Sequence, residues 1–327
     1  MMKNDISGVL LFNKPQILSS NIALQKVKRL YNAKKAGHTG TLDPLATGLL
    51  PICFGEATKF SAFLLDADKE YIATIKLGET TTTYDSCGDI LECRNVDVTK
   101  DDISNVIKTF LGEIVQIPPI YSALKVNGKR LYEYARSGEE VVIKSRQITI
   151  KELEILEFIA HDILKIRVLC SKGTYIRTLA HDIGIKLGCG AHLINLIRSK
   201  TSGFILDEKI NMENLAEMPI DFLHKLLLPV DSLVSDLLRF DLTPADFSGI
   251  KNGQTLSAVT NLANGIIIST SDIISSSDVI PTIAGIYNTT PENPLLRLYF
   301  DDKFVGIAKF INNKIKPIRL MNLSNYV

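Results

Sequence analysis

The run Gly37-His38-Thr39-Gly40-Thr41-Leu42-Asp43-Pro44-Leu45-Ala46-Thr47-Gly48 places one acid in a tightly punctuated stretch, with no second acid beside it. An aspartate is ionised at neutral pH, so a lone carboxylate held in a fixed loop can serve as a nucleophile or as a base. Three glycines and a proline within this run describe a chain on a special path rather than a regular helix or strand. Pro44 biases Asp43 away from the helical region, onto an extended stretch or to the start of a helix. Spacing alone leaves two roles open: a catalytic acid on an ordered loop, or the cap of a helix that opens at Pro44.

Several elements are available to position this loop. Leu24, Val27 and Leu30 share one face of a helix predicted over 20–31, with Ser20 or Asn21 as its cap. Glu70 to Leu77 alternates as a strand does, and Gly78 to Gly88 is a Thr/Asp/Gly-rich connection. Ile103, Val106, Ile107, Phe110 and Leu111 lie at helical spacing over 101–111, and Gly112 ends that helix. Ile148–Phe158 and Ile163–Ser171 read as paired strands, and Ile176, Leu179, Ile183 and Leu187 mark a further helix. Strict βαβ alternation is absent, so the expected class is α+β with a mixed or antiparallel central sheet. Beyond residue 236 the chain changes character, with a boundary at Asp241-Leu242-Thr243-Pro244. This divides it into residues 1–236 and 241–327. Short strands are expected at Gly265–Ile268, Leu295–Phe300, Val305–Phe310 and Ile315–Leu320, with long polar loops over 269–294.

Composition narrows the function classes. A chain of 327 residues can bury one large core and carry a second small domain. No apolar run approaches the roughly 18 residues a membrane helix needs, and the short run Val9–Phe12 is not a secretory signal. Five cysteines form no C-x-x-C pair, and an odd count argues against a disulfide framework. The histidines show no metal-ligand spacing, so no metal is expected, and a soluble cytoplasmic protein is. Net charge is only +1, but residues 6–42 contain six Lys/Arg (Lys14, Lys26, Lys28, Arg29, Lys34, Lys35) and no acid. A second basic zone holds Lys125, Lys129, Arg130, Arg136, Lys144 and Arg146. Two basic zones in an otherwise balanced chain fit an RNA-facing surface, because phosphate contacts supply the sequence-independent part of affinity.

The Asp43 run resembles the active-site motif of the bacterial TruB-type tRNA pseudouridine synthases. The likeness extends through Gly8-Val9-Leu10-Leu11-Phe12-Asn13-Lys14-Pro15, Lys69-Glu70-Tyr71, Pro118-Pro119-Ile120-Tyr121-Ser122-Ala123-Leu124-Lys125, Ser171-Lys172-Gly173-Thr174-Tyr175-Ile176-Arg177 and Gly188-Cys189-Gly190-Ala191-His192-Leu193. The resemblance implies the pseudouridine-synthase fold, with a small C-terminal PUA-like β module over 241–327. It makes Asp43 the essential carboxylate, Arg177 its partner and Tyr71 the active-site tyrosine. Tyr175 and Leu196 become pocket-lining residues, His38 fills the space a flipped base leaves in the RNA stack, and Lys14 with Pro15 supports the loop and the substrate. Two departures stand out: Asn13 where the family carries Asp, and Ile17 where a glycine is common.

The implied reaction breaks the ribose–uracil N1 bond, turns the base and rejoins it through C5, at uridine 55 of the TΨC loop of tRNA. Nothing is oxidised and no group is imported, so no cofactor is expected. The T stem-loop of tRNA is the expected partner, with no protein partner required and a monomeric state. An RNA-binding folding factor with secondary catalysis is the alternative. A glycoside hydrolase is disfavoured, because that chemistry ordinarily engages two carboxylates.

Overall fold

In the computed structural model, described for residues 3–257, 294–312 and 314–325, apolar alternation between Gly8 and Ile205 builds one nine-stranded sheet. Its strands in chain order are β1 (Gly8–Lys14), β2 (Ala36–His38), β3 (Thr47–Phe54), β4 (Lys69–Leu77), β5 (Gly112–Gln116), β6 (Arg146–Ile159), β7 (Ile163–Cys170), β8 (Ala191–Thr201) and β9 (Phe204–Ile205). The spatial order is β1-β3-β8-β4-β7-β6-β5, with β2 also on β3 and β9 also on β8. All pairings are antiparallel except β3 with β8, where Ile197 faces Thr47 and Arg198 faces Gly48. That single parallel contact makes the sheet mixed. It also brings the end of the Asp43 loop against the middle of β8.

Helices cover the core as their apolar spacing requires. Helix α1 (Ser20–Leu30) buries Ala23, Leu24 and Val27, with Ser19 capping the Ile22 amide. A short helix α2 (Ala62–Asp66) leads into β4. Helix α3 (Lys100–Lys108) opens on a capping box between Thr99 and Asp102 and buries Ile103 and Ile107. Helix α4 (Leu131–Ser137) lies within the second basic zone. Helix α5 (Ile176–Lys186) buries Leu179, Ala180 and Ile183 against the same core as Ala73, Ile75, Ile166 and Val168 of the sheet.

The Gly78–Gly88 connection is more structured than its composition suggests. Glu79–Thr81 pairs with Ile90–Cys93, and the turn between them is tied to β8 by an Asp85–Leu193 bridge. A second, five-stranded sheet is made by β10 (Leu238–Asp241), β11 (Leu256–Ser257), β12 (Leu295–Phe300), β13 (Lys303–Ile311) and β14 (Lys314–Leu320), in the order β10-β12-β13-β14-β11. The strand expected over Gly265–Ile268 and all but the last residue of the loop expected over 269–294 lie outside the described residues.

Candidate active site

No helix opens at Pro44. The chain makes a turn in which the Ala46 amide donates to the Asp43 carbonyl, then enters β3 at Thr47. The capping role for Asp43 is therefore excluded: β3 pairs with both β1 and β8 and draws the chain straight into the sheet. The loop is held from three sides. Ser20 at the start of α1 accepts from the Leu42 amide (2.7 Å) and donates to the Leu42 carbonyl (2.9 Å). The Ile17 amide donates to the Pro44 carbonyl (2.8 Å). Arg198, fully buried on β8, donates to the carbonyls of Leu49 (2.6 Å) and Gly40 (3.2 Å), one on each side of Asp43. Gly48 is required at this crossing, since a Cβ there would lie 2.4 Å from the Arg198 carbonyl oxygen.

Asp43 is thus rigid in its backbone and open at its carboxylate, whose side chain is 41% exposed. Its partner is Arg177 at the start of α5: Nε lies 2.9 Å from Asp43 Oδ2, and the guanidinium itself is buried. The remaining nitrogens of Arg177 are also engaged. Nη1 reaches Asp85 Oδ2 (3.4 Å) and the Thr83 carbonyl (3.2 Å), and Nη2 donates to the Tyr121 carbonyl (3.0 Å). A guanidinium pinned by the Thr83 and Tyr121 carbonyls offers the carboxylate one fixed geometry rather than a mobile counter-charge.

These groups border a cavity of about 220 Å³. Of the residues singled out in the sequence, Asp43, Tyr71, Tyr175, Arg177 and Leu196 all line it. Tyr71 on β4 stands directly opposite Arg198 on β8. Burial raises the Tyr71 phenol above its ordinary value, with the Arg198 charge acting in the other direction. The hydroxyl therefore remains a protonated donor at neutral pH. Tyr175 carries the Arg146 guanidinium 5.8 Å above its ring.

Two site residues lie elsewhere. Lys14 is fully buried beneath the loop and does not line the cavity; its ammonium donates to the carbonyls of Pro15 (2.8 Å) and Leu18 (2.7 Å). Desolvation lowers it to about 8, and the pull of Asp43 partly offsets that. It braces the turn before α1 rather than offering itself to a substrate. His38 sits on β2 outside the lining, half-buried, with Nδ1 unpartnered among the described residues. Burial holds it below its usual value, so it is uncharged.

Sequence reasoning missed several lining or supporting groups. Arg198 lies in the stretch Ala191–Thr201, where the sequence pattern predicted no element. Asp85 hides in a stretch whose Thr, Asp and Gly content signals only a turn. Lys69, buried at the cavity edge and lowered to about 8 by desolvation, is spent on the carbonyls of Leu64, Leu65 and Ala67 behind α2. Ser122, buried in the wall, has a hydroxyl with no partner among the described residues, which leaves a donor and an acceptor for whatever enters.

The second basic zone begins just after Ser122 and Ala123, which line the cavity. Its cations interleave with aromatics: Arg130 and Arg136 both lie over Tyr132 (5.7 and 5.5 Å), and Lys129 over Tyr134 (4.6 Å).

The chain is similar in sequence and in fold to several known proteins. A family profile described as TruB family pseudouridylate synthase (N terminal domain) matches residues 28–176. Another, described as tRNA pseudouridylate synthase B C-terminal domain, matches residues 177–235. A Burkholderia pseudomallei protein named tRNA pseudouridine synthase B is 44% identical over 322 residues, covering 98% of this chain and 99% of that protein. A Chromobacterium violaceum protein of the same name is 51% identical over 252 residues, covering 77% and 82%. Among solved structures, a Cbf5-Nop10-Gar1 complex contains a chain that superposes with a TM-score of 0.68 at 26% identity, covering 96% of this chain and 84% of that one.

Proposed function

This chain belongs to the TruB family of pseudouridylate synthases, and from that premise we propose that it isomerises uridine 55 in the TΨC loop of tRNA, with Asp43 as the essential carboxylate. The enzyme class is an isomerase, and relatives named for tRNA pseudouridine synthesis span almost its whole length. In this reading the C1′–N1 bond of the uridine breaks, the base turns, and a C1′–C5 bond forms. The proton displaced from C5 is lost and N1 gains one, so the change is balanced within the nucleotide. Asp43 acts at the sugar–base junction, by attack at C1′, addition at C6 or proton removal from C2′; each starts from the ionised carboxylate.

The observation that carries the proposal is the pairing of Asp43 with Arg177. An open carboxylate is fixed at 2.9 Å by a buried guanidinium, at the wall of a cavity also lined by Tyr71, Tyr175 and Leu196. The cavity takes a base and its sugar, not a stretch of helix, so the target nucleotide must be extruded; flipping costs a few kcal/mol, repaid by stacking and contacts in the pocket. His38, uncharged at the loop's flank, is the group to fill the space left behind. The segment 121–146 and the β module over 241–327 supply the RNA contacts outside the cavity. The proposal carries with it a cytoplasmic location and a monomer.

The test is tritium release from unmodified tRNA bearing 5-³H-uridine, with wild type and Asp43→Asn side by side. Release by wild type alone, mapped to the T loop, with tRNA binding retained by the variant, is expected. Wild-type-like release by Asp43→Asn would overturn the aspartate's role. Tight binding without release by either protein would favour an RNA-binding folding factor.

A further inference from the structure

The turn that carries Asp85 is gripped by α5 at two points, and only one of them is the ion pair. Arg177 and His181 are four residues apart on α5 and therefore share a face. Arg177 engages Asp85 and the Thr83 carbonyl. His181 lies flat against Tyr84, the residue between those two contacts, with ring centroids 4.0 Å apart and planes 15° from parallel.

Three features mark the stack as more than incidental packing. Tyr84 holds a left-handed backbone at φ +61°, a conformation bulky side chains avoid. The turn must therefore be over-determined by its surroundings. Those surroundings are on hand: Tyr84 accepts from the Leu193 amide (3.0 Å), and Ser86 donates back to the Leu193 carbonyl (2.9 Å). Thr83 and the Cys87 amide both donate to Asp85 Oδ1, at 2.6 and 3.0 Å, which leaves Oδ2 facing Arg177. Finally, His181 Nδ1 is buried with no partner among the described residues, and burial keeps the ring uncharged. What His181 contributes here is its flat face rather than that nitrogen.

We infer that the Tyr84–His181 stack is a positioning device for catalysis: it presses the Asp85 turn onto α5 and so fixes the Arg177 guanidinium in the orientation that aims Asp43. Neither residue lines the cavity, so neither touches the reacting atoms. The inference rests on the reading of Asp43 as the catalytic acid.

The test compares single-turnover rate constants at saturating tRNA for His181→Ala, His181→Phe, Tyr84→Leu and the His181→Ala/Tyr84→Leu double variant, with tRNA dissociation constants and melting temperatures alongside. Losing the stack should slow the chemical step about tenfold while tRNA affinity stays at the wild-type value. His181→Phe, which keeps a flat ring, should stay within about twofold of wild type. The double variant should be no slower than either single one, because both remove the same contact. If His181→Ala melts below the assay temperature, Tyr84→Leu decides the matter from the half-buried turn. Folded variants at the wild-type rate, a loss confined to tRNA affinity, a His181→Phe protein as slow as His181→Ala, or additive losses in the double variant would each overturn the inference. Absence of turnover in the wild type would instead defeat the functional reading, and this inference with it.

Discussion

At the residue scale, the groups proposed for the chemistry and the groups that hold them differ in how they announce themselves. Asp43 was visible because its motif is dense in the glycine and proline that a special backbone needs, whereas Tyr71 and Arg177 stood out only through the family resemblance, since Tyr71 by itself reads as an ordinary strand aromatic. Arg198 was invisible. On a strand it occupies the same face as Leu196, and nothing in local spacing says that an arginine there points inward at 1% exposure. Its role follows from its bonds: one guanidinium reaches the carbonyls on both sides of the Asp43 loop, Gly40 and Leu49. A lysine has the charge but not the planar fork, so Arg198→Lys keeps at most one of these contacts and leaves a buried carbonyl short of a donor. We expect this variant to lose about 1.5–3 kcal/mol of stability, the scale of a hydrogen bond to a charged group. Its single-turnover rate should fall at least about tenfold, since small displacements of a catalytic group are costly. Thermal unfolding and rapid-quench turnover measure the two effects, and a wild-type rate would show that the loop holds its shape without the strap.

At the element scale, periodicity served well wherever an apolar face had to be buried. Helices α1, α3 and α5 and strands β4, β6 and β7 stand within a few residues of their predicted bounds, because burial of one face is what fixes both period and extent. The failure at Pro44 is instructive: Asp-Pro is a good helix opening locally, but the pairings of β3 with β1 and β8 override it. The turn before α1 shows the converse, a sequence oddity that the backbone explains. Ile17, which the resemblance sets where a glycine is expected, has φ +76° and is 83% exposed. A β-branched residue in the left-handed region is strained by about 1–2 kcal/mol, and its exposed side chain gains little from packing in return. Ile17→Gly should relieve that strain at the cost of somewhat more freedom in the unfolded chain. The net expectation is a gain of about 0.5–1 kcal/mol, seen as a melting temperature higher by about 1–4 °C. A lower melting temperature would mean that the amide of Ile17, which holds the Pro44 carbonyl, depends on the side chain for its placement.

At the scale of the whole molecule, the five-stranded sheet is not an independent appendage. A second apolar cluster joins Val9 and Cys53 of the first sheet, with Phe60 and Leu64 of the helical segment after β3, to Val230, Leu233, Val234 and Leu237, and then to Tyr299, Phe304 and Ile307 of β12 and β13. Phe60 and Phe304 meet edge to face at 5.3 Å, and Lys59 donates to the Leu320 carbonyl at 3.2 Å across the same seam. Nothing in local spacing hints at this seam: Phe60 and Phe304 are separated by most of the chain, and each looks like an ordinary apolar residue beside charged ones. Removing everything after about residue 240 would strip the cover from Phe60 and Leu64, so such a truncation would perturb folding itself. Phe304→Ala probes the seam more cleanly. It deletes a buried ring, and such truncations cost about 3–5 kcal/mol when the cavity cannot collapse. If the two sheets unfold as one cooperative unit, that loss appears as a downward shift of a single transition in calorimetry, with turnover by the folded fraction unchanged. If they unfold separately, the variant splits the transition in two and leaves the upper one at the wild-type temperature. A single transition at the wild-type temperature would show that the Phe60–Phe304 contact contributes nothing to holding the molecule together.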